Sequence, residues 1–195
     1  MNRITTLFLV LFIIACNNEH NARHLYSQAL SYYIKKDFIS AERLCTQSLD
    51  EAKTSEALFL LSRIYYFTKN EKFESTVKKF ISHAPGAQGY ILYARWCIDH
   101  HNTQLAKENL MKALSYAPDN PAACYLLGTL YYSDKNYDDA IITFHRALSN
   151  YFYCILIHKQ LFSLYSDMGL HDRAIQHQKM IQALQNFEQS IENGE

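Results

Sequence analysis

The residue types best suited to catalysis or metal binding in this chain are nine histidines and five cysteines. The histidines that are close in sequence do not converge. His100 and His101 fall in a predicted turn, where adjacent side chains diverge, while His171 and His177 do not share one face of a predicted helix. No C-x-x-C, G-x-S-x-G, G-x-x-x-x-G-K-[ST] or H-E-x-x-H pattern occurs. The sequence therefore predicts no enzyme, no metal site and no cofactor.

Cys16 differs from the other cysteines because it directly follows an apolar run. Met1-Asn2-Arg3 carries one positive charge, and residues 4–15 (ITTLFLVLFIIA) carry none. That run has the length of a signal-peptide core and is too short to cross a bilayer comfortably. Polar residues begin at Asn17. The pattern predicts an export signal over residues 1–15.

The junction Ile13-Ile14-Ala15-Cys16 resembles the bacterial lipobox, which has an aliphatic residue three positions before the cysteine and a small residue just before it. The resemblance implies cleavage before Cys16 and acyl chains on its thiol and its freed α-amine. Such chains give stable membrane anchoring, at about 0.8 kcal/mol per buried methylene. An ordinary signal peptide or short membrane anchor with an incidental cysteine is the alternative.

The remaining composition is typical of helices packed on helices. The 195 residues include 19 basic and 19 acidic side chains, so no global field attracts nucleic acid. Five Gly and three Pro are too few for an all-β protein with many tight turns. Fifteen Tyr and 11 Phe accompany a single Trp. This composition excludes a disordered chain and a disulfide-rich scaffold.

An internal repeat of 34 residues occupies most of the chain. One segment reads Cys124-x2-Leu127-Gly128-x2-Tyr131 and continues Ala140-x3-Phe144-x2-Ala147. Small and large apolar residues recur 34 positions earlier and later. Tyr-Tyr pairs at 32–33, 65–66 and 131–132 support a period near 34. A generic helical bundle does not require small residues at fixed places in such a cycle.

This pattern resembles the tetratricopeptide repeat, a helix-turn-helix unit of 34 residues. The resemblance implies an all-α fold, a right-handed superhelical stack of about five helix-turn-helix units with a C-terminal capping helix from Asp172 to about Glu192. Stacking buries the apolar face that one helical hairpin leaves exposed. No repeat has Trp at its fourth position, and Gly128 alone supplies the consensus glycine.

The predicted organisation has four parts. They are the signal peptide at 1–15, lipidated Cys16 with a short tether over 16–21, the repeat domain at 22–188, and a tail at 189–195. The repeats are assigned to 22–54, 55–86, 87–120, 121–154 and 155–188. The tether residues that follow Cys16 reach about 17 Å when extended, which would hold the folded part close to the lipid surface.

The resemblance also implies a binding groove, because the first helices of such repeats line the inner face of the stack. The family's groove positions, carried over residue by residue, select aromatic side chains and two arginines. The predicted partner-binding residues are Tyr26, Tyr33, Phe59, Arg63, Tyr66, Phe67, Arg95, Tyr125 and Tyr132. Tyrosine and arginine often dominate interface energies. The alternative is that these side chains cover one another as core.

The carboxylate clamp of some family members is not predicted, because the ninth position of the repeats never carries Asn. Cys45, Cys97 and Cys124 fall at predicted core positions, where cysteine behaves as a small hydrophobe. An exported protein is able to form disulfides, but these positions do not suggest the close Cα atoms that a bridge needs.

Together the features predict a lipid-anchored scaffold of the bacterial cell envelope that binds a protein segment in its groove, for example during assembly of an envelope complex. Asn17 after the lipidated cysteine favours the outer membrane over the inner. A ligand-binding accessory subunit of an envelope transporter is the alternative, and it predicts a small molecule retained in native mass spectrometry. No nucleic-acid partner is expected.

Overall fold

A computed structural model describes residues 3–148 and 151–193, with side chains described for 17–148 and 153–190. Within those ranges the chain is all-helical and contains no strand. The helices of the described residues are α1 (Arg3–Ile34), α2 (Phe38–Glu51), α3 (Ser55–Phe67), α4 (Phe73–His83), α5 (Ala87–Asp99), α6 (Thr103–Tyr116), α7 (Pro121–Ser133), α8 (Tyr137–Ala147), α9 (Tyr151–Asp167) and α10 (His171–Asn193). Successive helices pack pairwise as five helical hairpins. The predicted all-α, helix-turn-helix fold is confirmed.

The chain divides into two compact units, Met1–Pro85 and Gly86–Glu195. The first contains α1 to α4, and the second contains α5 to α10. The division follows the short helix α4, which ends at His83. The sequence analysis predicts one repeat domain over 22–188, whereas the structure divides the same helices between two compact units.

Each of the five hairpin turns contains one residue with a left-handed backbone. These residues are Lys36, Lys69, His101, Lys135 and Gly169, with φ between 52° and 72°. In every turn the N–H of the left-handed residue donates to the carbonyl three positions earlier in the chain. The N–H of the following residue donates to the carbonyl five positions before it, as Asp37 does to Tyr32. This pattern closes the C-terminus of the first helix in each hairpin. The repeat is therefore as regular in the backbone as in the side chains.

Side-chain caps set the starts of four helices. Asp37, Thr54, Asn102 and Asn120 each accept a hydrogen bond from the backbone N–H three residues on, which is otherwise unpaired at a helix start. Pro121 follows at the beginning of α7, where its missing N–H removes no helical bond. Turn and side-chain cap coincide at the start of two second helices, α2 and α6, whereas α4 and α8 begin without a side-chain cap.

The core of the second unit is built around Phe144 of α8 and Gly128 of α7. Phe144 is fully buried, and a Cβ atom at residue 128 would lie 2.8 Å from two of its ring carbons. Only glycine admits the ring at this distance. The other buried members of this core are Cys124, Ala140, Ala147, Ile157, Leu161, Leu164, Tyr165 and Ala174.

The core of the first unit ties its helices together with polar bonds as well as apolar contacts. Ser48 of α2 is buried, and its hydroxyl donates to the carbonyl of Ala22 in α1 at 2.7 Å. Tyr65 of α3 donates to a carboxylate oxygen of Glu42 in α2 at 3.0 Å. Burial and this carboxylate raise the pKa of Tyr65 to about 12. These bonds hold α1 and α3 against α2.

The first helix begins earlier than the sequence indicates. Residues 16–21, predicted as a short tether ahead of the helical repeats, lie inside α1. No Pro or Gly interrupts the chain between Arg3 and Ile34, and Glu19 pairs with Arg23 one turn later at 3.9 Å. The side chain of Cys16 lies outside the described residues. At the other end α10 continues to Asn193, so residues 189–193 of the predicted tail are helical.

Candidate partner-binding surface

Rings and one cation from three helices meet on the first unit. The aromatic–arginine surface consists of Tyr33, Phe38, Phe59, Arg63, Tyr66 and Phe67. The ring centroids of Tyr33 and Phe67 lie 6.2 Å apart, and those of Tyr66 and Phe67 lie 5.4 Å apart. The guanidinium carbon of Arg63 lies 4.9 Å from the Tyr33 ring centroid and 5.9 Å from that of Phe59. Five predicted binding residues are thus joined by direct contacts.

Phe38 completes this surface and was not predicted. It opens α2, and its ring centroid lies 5.8 Å from Tyr33 and 6.1 Å from Phe67. The rings of Phe38 and Phe67 are nearly parallel, with an interplanar angle of 7°. The left-handed turn at Lys36 brings the start of α2 back against the end of α1. Phe38 therefore fixes the position of Tyr33 relative to α3.

A sequence signal for Phe38 does exist. The second tyrosine of each Tyr-Tyr pair contacts the aromatic residue that opens the next helix. Tyr66 lies 5.8 Å from Phe73, and Tyr132 lies 6.1 Å from Tyr137. An aromatic residue five to seven positions after such a pair identifies this contact from sequence alone.

Arg63 is the electrostatic centre of the surface. Phe59, Arg63 and Phe67 are four residues apart and share one face of α3. Arg63 as a residue is half-buried, and the contacts of its cation with the two rings contribute on the order of 0.5–2 kcal/mol each. Among the described residues no carboxylate lies within 4.0 Å of Arg63, and none accepts a hydrogen bond from it. The charge is therefore held by rings alone.

Tyr26 of α1 is the remaining predicted binding residue of this unit, and it lies near Arg63 of α3. Burial raises the pKa of its phenol, the charge of Glu56 raises it further, and the charge of Arg63 opposes both. Tyr26 therefore stays a neutral phenol at physiological pH, able to donate or accept a hydrogen bond beside the cation.

The surface opens to solvent at its Phe67 end. Phe67 is 54% exposed, although its ring contacts three neighbours. Two aliphatic side chains of the first hairpin are more exposed still, Ile34 at 71% and Ile39 at 85%. The first hairpin thus exposes large apolar side chains directly after Tyr33 and Phe38 in the chain, which is typical of an interaction surface.

The predicted residues of the second unit are engaged differently. The ring of Tyr125 lies 6.4 Å from Phe144 and 5.7 Å from Tyr153, so it packs on the core. The Tyr132 hydroxyl donates to Asp167 at 2.6 Å. Burial, followed by this bond and the carboxylate charge, raises the pKa of Tyr132 to about 12.

Arg95 is exposed on α5, and no ring or cation contact within the described part of the chain joins it to Tyr125 or Tyr132. The structure therefore does not bring the three predicted residues of the second unit together as it does those of the first.

The second unit also contains a histidine cluster that sequence reasoning missed. Nδ1 of His158 in α9 lies 2.8 Å from Nδ1 of His177 in α10, so one ring donates and the other accepts. The ring of His177 stacks on that of Tyr165 with centroids 5.4 Å apart. The ring centroid of His145 in α8 lies 6.3 Å from that of His177. Burial lowers the pKa of His177 to about 4, helped by the charges of His158 and His145. Three different helices supply these rings, so sequence spacing carries no signal for them.

The structure offers no metal centre within its described part, where no three His, Cys, Asp or Glu side chains are grouped to hold an ion. No described helix combines the length and the apolar character needed to cross a bilayer. Cys45, Cys97 and Cys124 are buried, and burial raises the pKa of the Cys45 thiol to about 12. These features leave the aromatic–arginine surface as the main candidate site.

Comparisons with known proteins agree with the fold. The protein-family model described as "Tetratricopeptide repeat" matches residues 98–152, which include α6, α7 and α8. No curated protein matches the chain.

Several solved structures share this fold. A crystal structure of MamA has a TM-score of 0.73 at 22% identity, covering 83% of this chain and 96% of that one. MamA "41-end" from Desulfovibrio magneticus RS-1 has a TM-score of 0.73 at 17% identity, covering 85% and 96%. A tetratricopeptide repeat protein from Parabacteroides merdae ATCC 43184 has a TM-score of 0.71 at 17% identity, covering 83% and 66%. At these identities the likeness shows the fold.

Proposed function

We propose that this chain is a protein-interaction scaffold that binds a segment of a partner protein on the aromatic–arginine surface. The observation that carries the proposal is Arg63, a half-buried cation held between Tyr33 and Phe59 and one turn from the exposed ring of Phe67. Aromatic and arginine side chains are the usual anchors of protein interfaces. The repeat fold supports this role, because stacked hairpins present extended binding surfaces.

The proposal includes attachment to the bacterial cell envelope through acyl chains on Cys16. The apolar run over 4–15 and the Ile13-Ile14-Ala15-Cys16 junction support it. Because α1 is already helical at Cys16, the first unit would follow the anchor without an extended linker. The partner would then be bound close to the membrane, as expected for assembly of an envelope complex.

Site-specific photo-cross-linking tests the binding surface. A benzoylphenylalanine is placed at Phe67 in the full chain, expressed in its native host, and a matched probe is placed at Phe187. Both side chains are 54% exposed, but Phe187 lies on α10 of the second unit. We expect a discrete adduct from residue 67 and none from residue 187.

Arg63→Glu combined with Tyr66→Ala should abolish the adduct at residue 67 while the helical circular dichroism stays unchanged. The first change replaces the cation held between Tyr33 and Phe59, and the second removes a ring that contacts Phe67. An adduct that survives both substitutions, or one that forms equally from residue 187, would show that this surface is not the interface.

Cys16→Ser tests the anchor separately. We expect loss of acyl labelling and release of the protein from the membrane fraction, because serine lacks the thiol that carries the lipid. Cys154→Ser, a control at a partly buried cysteine of α9, should change neither. Membrane association and acyl labelling that both persist in Cys16→Ser would refute the lipid anchor but leave the binding surface intact.

A further inference from the structure

We infer that the partner segment carries an Asp or Glu side chain with a large apolar residue two positions before it and another two positions after it, and that it lies extended along α3. This inference rests on the proposed function and specifies its partner. It follows from the unfilled hydrogen bonds of Arg63 and from the spacing of the rings on either side.

The guanidinium of Arg63 has five N–H donors in one plane. Tyr33 and Phe59 contact the cation through their rings, and no group of the described residues accepts a hydrogen bond from it. Glu56 lies close enough to Tyr26 to raise the pKa of its phenol, but its carboxylate accepts a hydrogen bond from the Ser55 hydroxyl at 3.0 Å and not from Arg63. A carboxylate from outside the chain would accept two of these N–H groups in parallel, which is the strongest arrangement for arginine.

The rings on α3 set the spacing of the partner's apolar residues. Phe59 and Phe67 are eight residues apart with Arg63 midway between them, which corresponds to about 12 Å along a helix. Four residues of extended chain span about 13 Å, and alternate side chains point to the same side. An extended segment therefore places an apolar, an acidic and an apolar side chain over Phe59, Arg63 and Phe67 in turn.

The same spacing favours a side-chain carboxylate over a chain terminus. Apolar side chains lie on both sides of Arg63, Phe59 at one end and Phe67 with Phe38 at the other. A C-terminal carboxylate at Arg63 would leave one of these ends uncovered. An internal acidic residue covers both.

The test uses the full-length chain purified in detergent and a phage-displayed library of random nonapeptides with linkers at both ends. We expect enrichment of peptides with Asp or Glu flanked by large apolar residues at −2 and +2. For a synthetic peptide of the enriched sequence, Arg63→Gln should weaken binding by about tenfold or more. Arg63→Lys keeps the charge but not the planar pair of donors, so it should restore only part of the lost binding. Arg43→Gln, which removes an exposed arginine on α2 of the same unit, should leave binding unchanged.

A double-mutant cycle completes the test. Changing the peptide's acidic residue to its amide should weaken binding to the wild-type protein by a similar factor and leave binding to Arg63→Gln unchanged. Equal losses in both proteins, enriched peptides without an acidic residue, or apolar residues at helical spacing of three or four would overturn the inference. A cross-link at residue 67 that depends on Arg63, together with any of these results, would leave the proposed function standing and remove only the partner motif.

Discussion

Tyr33 and Tyr132 show how the two units use the same repeat position differently. Each is the second residue of a Tyr-Tyr pair, and each contacts the aromatic residue that opens the next helix, at 5.8 and 6.1 Å. Tyr33 faces the cation of Arg63, whereas the Tyr132 hydroxyl is bound to the carboxylate of Asp167. The second unit satisfies its polar groups internally at this position, and the first unit leaves a charge available. Equivalent repeat positions therefore need not have equivalent roles.

The largest expected effect is the difference in stability loss between removing a buried ring and removing an exposed one. Phe144→Ala in the second unit should lower the free energy of unfolding by about 3–5 kcal/mol, because the ring is fully buried. Phe67→Ala in the first unit should lower it by less than about 1 kcal/mol, since that ring is 54% exposed. Urea denaturation of both variants measures the difference, and equal losses would contradict the contrast between the units.

Gly128→Ala should have the next largest effect. A Cβ atom 2.8 Å from the buried Phe144 ring forces the ring or α7 to shift, at a cost of about 1–3 kcal/mol that the better helix propensity of alanine offsets only in part. Gly86→Ala is the matched control, because a Cβ atom there meets nothing within 4 Å. Thermal melting followed by circular dichroism compares them. A Gly128→Ala protein as stable as the wild type would show that this core is not tightly packed.

Tyr132→Phe should cost about 1 kcal/mol of stability, because it removes the donor to Asp167 while keeping the ring. Tyr33→Phe should change stability little, since the described residues provide no hydrogen-bond partner for its hydroxyl. The comparison is made by urea denaturation at pH 7. If both substitutions cost the same, the polar contrast between the two tyrosines does not contribute to stability.

The smallest expected effect is a loss of stability on acidification. The pKa values of His158 and His177 are lowered in the folded protein, that of His177 to about 4. The unfolded chain therefore binds more protons below about pH 6.5, and stability is lost as the pH falls from there towards 4. Partial exposure of His177 keeps the loss modest.

Melting temperatures between pH 7 and 4 measure this effect, and His177→Gln should flatten the curve. His24→Gln, an exposed histidine on α1 outside the cluster, is the control. An unchanged pH dependence in His177→Gln would exclude the cluster as its source.

The repeat positions and the hairpin turns were accessible from sequence because they depend on local geometry. The sequence predicts the turn at His100 and His101, and the 34-residue period predicts the core positions of Ala140 and Phe144. The start of α1 could not be predicted from the sequence. No Pro or Gly marks a boundary between the signal-like segment and the first helical repeat, and one helix runs through both. Phe38 was missed because the family's groove positions lie on the first helices only.

What the sequence determined by itself was the helix-turn-helix repeat, since small residues, helix caps and turns act over a few neighbouring positions. Only the tertiary structure decided which rings meet a cation and which form core. Arg63 and Arg95 look alike as residues at one repeat position, but only Arg63 is placed against two rings. His158 and His177 become neighbours only when α9 and α10 pack. Such pairings depend on distances between helices, which side-chain spacing along one helix does not encode.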